Sequence, residues 1–186
     1  PSDGPFLFSG SFGMSGVPGL RGAEHIGLTV PDMAAAVDFF TRVIGCHFVL
    51  DGGRVADPAL MRDVLGVDPE ASMQWSFLRC GAGPNIELFE YDAPDQEPFP
   101  PRNSDIGGHH IAFYVDDMAT AVAHLRAEGV EIMGDVQLIH DGPASGSQWL
   151  YFRAPWGLQL ELVSYPAGKG PQGGAARRLW HPAHPD

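Results

Sequence analysis

Basic residues are scarce in this chain of 186 residues. There are 11 Lys and Arg against 23 Asp and Glu, so the formal net charge is -12, and Lys169 is the one lysine. A field of that sign repels nucleic-acid phosphates and anionic lipid surfaces. We therefore expect no nucleic-acid partner and no membrane partner.

Cysteines and long apolar runs are also few. Cys46 and Cys80 are the two cysteines, and their spacing matches neither a metal-binding nor a redox motif. We expect free thiols in a reducing cytosol, and hence a cytoplasmic protein. No apolar run approaches the roughly 20 residues that span a bilayer. The first stretch, PSDGPFLFSG, lacks the charged start of a signal peptide.

The chain contains an internal repeat of one segment. HIGLTVPDMAAAVDFF at 25–40 and HIAFYVDDMATAVAHL at 110–125 agree at eight of sixteen positions. Each copy begins with a short apolar run typical of a strand and continues with helical spacing of apolar residues. Asp32 and Asp117 are predicted N-caps of these helices, and Gly45 and Gly129 are predicted to end them.

Three strand-like segments follow the helix in each copy. They are CHFVLDG, MQWSFLRC and NIELFEY in the first copy, and VEIMGDV, WLYFRA and LQLELVSY in the second. The sequence thus predicts an α+β fold of two tandem βαβββ modules whose sheets form a curled, partly open barrel around a cleft. The predicted divisions are an N-terminal arm (1–22), a first module (23–92), a linker (93–106), a second module (107–165) and a C-terminal arm (166–186).

Four side chains occupy matching positions in the two modules. A His begins the first strand of each module, and a Glu lies within the last strand, between apolar neighbours that face the other way; these residues are His25, Glu87, His110 and Glu161. A carboxylate on such a strand is costly unless it is paired or binds a metal. Because strand side chains alternate, His109 points away from His110, and only His110 matches His25. Two imidazoles and two carboxylates predict a site for one divalent ion: Zn, Ni, Co, Fe or Mn.

The segments EHIGLTVPDM, NIELFEY, GGHHIAFYVDDM and PWGLQLELVSYP resemble the vicinal oxygen chelate superfamily, which includes glyoxalase I, epimerases and extradiol dioxygenases. The resemblance implies paired βαβββ modules around a divalent metal held by His25, Glu87, His110 and Glu161. It also implies a small-molecule substrate with adjacent oxygens and, in our interpretation, a homodimer. The metal site could be formed by the two modules of one chain or by modules of two different chains.

The resemblance implies a glyoxalase-like lyase or an epimerase, in which Glu161 is the first choice for the proton-transfer base and Glu87 the second. One alternative is an Fe(II) ring-cleavage dioxygenase with His25, His110 and Glu161 as ligands. In that case Glu87 lies outside the metal set, and acid–base help comes from His140, Tyr114 or Tyr151. A second alternative is a non-catalytic protein that binds an antibiotic in the same cleft.

Overall fold

The computed structural model describes residues 17–169 and 179–184, and these residues form two four-stranded sheets. The sheets are curled and are not closed into a barrel. This arrangement confirms the predicted α+β fold with a curled, open pair of sheets. Most of the predicted N-terminal arm, and 170–178 and 185–186 of the C-terminal arm, lie outside the described residues. Within the described residues, no helix has both the length and the apolar character that crossing a membrane requires.

The first module forms one sheet in the order β1-β4-β3-β2, in which β1 runs parallel to β4 and the other pairs are antiparallel. Its helix begins as α1 and continues in π-helical turns to Gly45, which adopts the left-handed conformation predicted for it. Its elements are β1 (His25–Thr29), α1 (Met33–Asp38, continued by Phe39–Ile44), β2 (His47–Val55), α2 (Pro58–Leu60, continued by Met61–Leu65), β3 (Ser72–Arg79) and β4 (Asn85–Asp92).

The second module repeats this topology in a sheet of order β5-β8-β7-β6. Its single helix begins at the N-cap Asp117 and is followed by Gly129 at a positive φ of 72°. Its elements are β5 (Ile111–Tyr114), α3 (Met118–Ala127), β6 (Glu131–Leu138), β7 (Gln148–Arg153) and β8 (Gln159–Ser164). The predicted βαβββ order is therefore present in both modules.

The short helix α2 is an addition of the first module that the repeat did not predict. Asp57 caps it by accepting hydrogen bonds from the amides of Ala59 and Leu60, and Pro58 occupies its first position. Its π-helical continuation carries Met61, which is fully buried in a small cluster of its own. Asp57 followed by Pro58 is a typical start of a helix and was visible in the sequence. The repeat did not predict this helix, because the second module, which is described throughout, has no helix between β6 and β7.

The helix layers of the two modules share one hydrophobic core. Trp156, in the turn before β8, contacts the rings of Phe39 and Phe40 at centroid distances of 5.6 and 6.0 Å. The Nε2 atom of His124 on α3 lies 2.9 Å from the carbonyl oxygen of Val43. Buried residues of both sheets and both helices belong to the same cluster. The modules therefore pack through their helix sides.

Strand alternation in β4 and β8 follows the predicted pattern. Ile86 and Leu88 on β4 are buried in the core, as are Leu160 and Leu162 on β8. The intervening glutamates project from the opposite faces of the sheets.

Glu90, which the sequence places on the helix side of β4, accepts hydrogen bonds from the Met33 amide (2.6 Å) and the Gln74 side chain (2.8 Å). It thereby fixes the start of α1 against the sheet. This carboxylate has a structural role on the core side and does not belong to the face that carries Glu87.

We expect loss of the α3 cap to destabilise the protein. Asp117 accepts hydrogen bonds from the amide and hydroxyl of Thr120, both at 3.0 Å. Asp117→Ala leaves these groups without that partner and should lower the free energy of unfolding by about 1 kcal/mol in urea denaturation. Asp117→Asn keeps an acceptor, so its free energy of unfolding should fall by only a few tenths of the loss expected for Asp117→Ala. Equal losses in the two variants would contradict the role of the cap.

Candidate metal centre

The first His–Glu pair lies across the parallel strands β1 and β4. His25 opens β1 and Glu87 lies in the middle of β4, where the register sets Gly27 opposite Glu87. The Nε2 atom of His25 is 3.1 Å from a carboxylate oxygen of Glu87. The side chain of Glu87 is only 15% exposed, so water solvates little of its charge. The imidazole is therefore the main partner of this carboxylate.

Glu24 orients the ring of His25 from its other nitrogen. One carboxylate oxygen of Glu24 lies 2.6 Å from His25 Nδ1, and the other accepts a hydrogen bond of 2.6 Å from the Asn85 side chain. The hydrogen bond to Glu24 raises the pKa of His25, and the pKa of Glu24 is lowered in turn. With Nδ1 occupied by Glu24, Nε2 is the nitrogen left to face Glu87. Glu24 stands directly before His25, but the repeat does not mark it as a site residue, because His109 occupies the matching position in the second module.

The second pair repeats the first in the other sheet. His110 immediately precedes β5, and its Nε2 atom lies 2.9 Å from a carboxylate oxygen of Glu161 on β8. The side chain of Glu161 is 14% exposed. Burial raises the pKa of Glu161, and the contact with His110 offsets part of that rise. The two pairs thus match in geometry and in burial.

His109 takes a different direction from its neighbour. Its Nδ1 atom lies 3.0 Å from the carbonyl oxygen of Gly107, and its side chain lines a cavity beside Trp156 and the linker residues Phe99 and Pro100. The structure therefore places His110, and not His109, against Glu161. This is the assignment that strand alternation indicated.

Each pair lies against an aromatic residue on the neighbouring strand. Phe77 on β3 meets His25 edge-on at a centroid distance of 5.5 Å, and Tyr151 on β7 meets His110 at 5.1 Å. Trp75 and Trp149 stand next to these rings. The repeat was visible in the sequence, since QWSFLR and QWLYFR begin and end alike. The two half-sites differ here by one hydroxyl group, that of Tyr151.

Of the three residues considered for acid–base help in a dioxygenase, Tyr151 alone contacts one of the pairs. Tyr114 packs against the rings of Tyr165 and His181 at 5.0 and 4.7 Å. His140 is exposed in the connection between β6 and β7. The geometry therefore gives little support to a dioxygenase arrangement that uses either of them.

The chain by itself forms two separate pairs. Among residues 17–169 and 179–184, no group of three or more His, Cys, Asp or Glu side chains is arranged to hold a metal ion. Each pair nevertheless has the spacing of two ligands of one ion. Two ligands about 2.1 Å from a metal lie about 3.0 Å apart at the right angle of an octahedral site and about 3.4 Å apart at a tetrahedral angle, and the pairs here lie at 3.1 and 2.9 Å. Each pair therefore fits half of a four-ligand site.

Comparison with known families agrees with this fold and repeat. The family model of the Glyoxalase/Bleomycin resistance protein/Dioxygenase superfamily matches residues 24–152, which include both modules up to β7. The chain belongs to this superfamily. The match confirms the resemblance on which the sequence analysis relied.

Two curated relatives match most of the chain. A 2-epi-5-epi-valiolone epimerase from Actinomyces sp. is 45% identical over 168 residues, which are 90% of this chain and 92% of the relative. The uncharacterized protein YaeR from Escherichia coli (strain K12) is 30% identical over 144 residues, or 77% of this chain and 96% of the relative.

Solved structures of superfamily members show the same fold at low identity. A glyoxalase family protein from Bacillus cereus superimposes with a TM-score of 0.62 at 19% identity, covering 78% of this chain and 94% of that chain. The trypanothione-dependent glyoxalase I of Leishmania major gives a TM-score of 0.52 at 19% identity, covering 80% and 89%. At such identity the likeness establishes the fold alone.

We expect Glu24 to control the protonation of His25. In protein freed of metal by a chelator, Glu24→Gln should lower the pKa of His25, because a neutral amide favours the imidazolium less than a carboxylate does. Titration of the imidazole protons by NMR measures this shift. Glu131→Gln, which removes an exposed carboxylate from the second module, is the control and should leave the His25 curve unchanged. A His25 curve unaffected by Glu24→Gln would contradict the role given to Glu24.

Proposed function

We propose that this protein is a metal-dependent epimerase that inverts a carbon next to the carbonyl of an uncharged hydroxyketone. The observation that carries the proposal is the 45% identity to a 2-epi-5-epi-valiolone epimerase over nine-tenths of both chains. A compound of that class, 2-epi-5-epi-valiolone itself first of all, is the proposed substrate. The acidic chain with its one lysine also suits an uncharged substrate better than a phosphorylated one.

The proposed cofactor is one divalent ion from the group Zn, Ni, Co, Fe and Mn, held by His25, Glu87, His110 and Glu161. Both pairs have the donor types and the spacing for such an ion. When bound, the ion would polarise the substrate carbonyl and increase the acidity of the adjacent C–H bond.

Inversion at a carbon requires that a proton leave one face of the substrate and return to the other. Glu161 and Glu87 suit these two roles because they come from the two halves of the repeat and would approach a bound substrate from different sides. Both carboxylates are largely shielded from water, and burial raises the pKa of Glu161, which favours its role as a proton acceptor. We assign Glu161 as the first base and Glu87 as its partner.

Trp75, Phe77, Trp149 and Tyr151 would form the walls of the pocket on either side. Three of these residues offer mainly apolar surface, whereas Tyr151, whose ring meets that of His110, adds a hydroxyl. Such a wall would exclude water from the reacting carbon, and the hydroxyl of Tyr151 would orient one substrate oxygen by a hydrogen bond.

The complete site is proposed to form between two copies of this chain. The modules pack through their helix sides, so the faces that carry the two pairs are not opposed within one chain. Large apolar side chains also stay exposed along β2 and β6: Phe48, Val49, Leu50, Val136 and Leu138. A homodimer would cover these strands and place His25 and Glu87 of one copy opposite His110 and Glu161 of the other.

The epimerase proposal predicts a specific exchange pattern. In D2O, wild-type protein loaded separately with each candidate metal should invert 2-epi-5-epi-valiolone and add one solvent deuterium at the inverted carbon, as seen by NMR. Glu161→Gln and Glu87→Gln should each lower inversion by about 10²–10⁴-fold. Each variant should still exchange deuterium into one of the two epimers. The two variants should label different epimers, because each keeps a different base.

Glu90→Gln is the matched control for this assay, because Glu90 lies on the same strand as Glu87 but faces the helix layer. An amide oxygen can still accept its hydrogen bonds, so inversion should stay within about twofold of wild type. Failure of metal-loaded wild-type protein to invert or exchange this ketone would overturn the proposed substrate class. Equal exchange into both epimers by both Glu variants would overturn the two-base assignment.

Placement of the site between chains predicts complementation. His25→Ala and His110→Ala should each be inactive alone. Unfolding the two together and refolding them as a mixture should restore about a quarter of wild-type activity, because half the dimers are mixed and each contains one intact site. Dimer formation is checked by sedimentation. Mixed dimers without recovered activity would show that each chain forms its own site.

A further inference from the structure

The two cysteines of the chain lie opposite each other at one end of the first sheet. The antiparallel ladder pairs His47 with Arg79 and Phe48 with Leu78. One step beyond His47 and Arg79, the same register sets Cys46 against Cys80. Directly opposed residues of antiparallel strands have Cβ atoms about 4.5–5.5 Å apart on the same face. Both thiols are free, and the strand register places them side by side at this end of the sheet.

The second module shows that the fold does not need thiols at this place. The ladder there pairs Glu131 with Arg153, so the next step sets Val130 against Ala154. The backbone makes a corresponding bond in both modules: the amide of Cys46 donates to the Phe40 carbonyl six residues back at 2.8 Å, and that of Val130 donates to the Leu125 carbonyl five residues back at 2.9 Å. Two apolar side chains fill the position in one module and two thiols fill it in the other.

The two thiols differ in access and in reactivity. Cys46 is 3% exposed and belongs to the core. Cys80 is partly exposed and lines a cavity of about 480 Å³ between the modules, which Trp180 also lines. Contact with Cys46 and the charge of the neighbouring Arg79 lower the pKa of Cys80, whereas contact with Cys80 and burial raise the pKa of Cys46. Because Cys80 is the thiol of the two that a peroxide can reach, it is the nucleophile of the pair.

We propose that Cys46 and Cys80 are an oxidisable pair that forms a reversible disulfide when the protein meets a peroxide. The Cys80 thiolate attacks one oxygen of hydrogen peroxide, the O–O bond breaks, and water leaves after the second oxygen gains a proton. Cys80 is then a sulfenic acid. The Cys46 sulfur attacks the Cys80 sulfur, the S–O bond breaks, and a second water leaves with the Cys46 proton. Two thiols lose two electrons, and one peroxide becomes two waters.

The disulfide would tie the end of the first helix, through Gly45, to the turn between β3 and β4. It would close the chain between positions 46 and 80, which includes α2 and all of β2 and β3. Closing such a loop restricts the unfolded chain and should raise Tm by about 5–15 °C. A reducing agent with two thiols should reverse both the bond and the rise.

The test is oxidation of the reduced full-length protein with hydrogen peroxide, followed by denaturation, alkylation with N-ethylmaleimide and intact mass measurement. Wild type is expected to become two hydrogens lighter, to take up no maleimide, and to yield one linked peptide containing positions 46 and 80. Cys46→Val and Cys80→Ala copy the residues of the second module, so both variants should fold. Dimedone should trap a sulfenic acid at Cys80 in Cys46→Val, while Cys46 in Cys80→Ala should stay reduced and alkylate fully.

Three results would overturn the proposal. The first is alkylation of both cysteines in wild type after treatment with peroxide, at a concentration at which Cys80 is oxidised in Cys46→Val. The second is a disulfide that joins two chains, seen as a covalent dimer without reductant. The third is faster oxidation of Cys46 in Cys80→Ala than of Cys80 in Cys46→Val. An unchanged Tm in fully linked protein would contradict the stabilising effect.

Discussion

The packing of two helix layers into one core determines where everything else in this protein lies. Phe39 and Phe40 from the first module meet Trp156 from the second, and His124 reaches the carbonyl of Val43. With one face of each sheet buried in this way, the other face is left for the site residues. A single hydrophobic core of this kind stabilises both modules together, since it contains buried residues from each of them.

Shielding a carboxylate from water costs free energy, and this cost explains why each glutamate on the outer face of a sheet has a partner beside it. Glu87 and Glu161 sit on strands whose neighbouring positions are buried, and both are mostly covered. Each has an imidazole nitrogen about one hydrogen-bond length away, which compensates part of the lost hydration. A positive ion would compensate more of the lost hydration, and this is the physical basis of the metal site that we propose.

The duplicated modules keep one backbone plan and change the chemistry placed on it. Phe77 and Tyr151 occupy equivalent places beside their histidines, yet only one has a hydroxyl. Glu24 precedes His25, whereas His109 precedes His110 and turns away. The cysteine pair of the first sheet has an apolar counterpart in the second. Each of these differences between matching positions changes the polarity of the side chain but changes its volume too little to disturb the strands.

Much of the fold and of the candidate site could be predicted from the sequence, because the evidence for them is local. Strand alternation determined which of His109 and His110 faces the glutamate, and side chains capable of capping marked where α1 and α3 begin. The repeat itself indicated that His25 and Glu87 match His110 and Glu161. Only the tertiary structure decided that Glu24 holds His25, that Cys46 faces Cys80, and that the two His–Glu pairs remain apart within one chain. These depend on strand register and on which faces the helices cover, and register joins residues that are distant in the sequence.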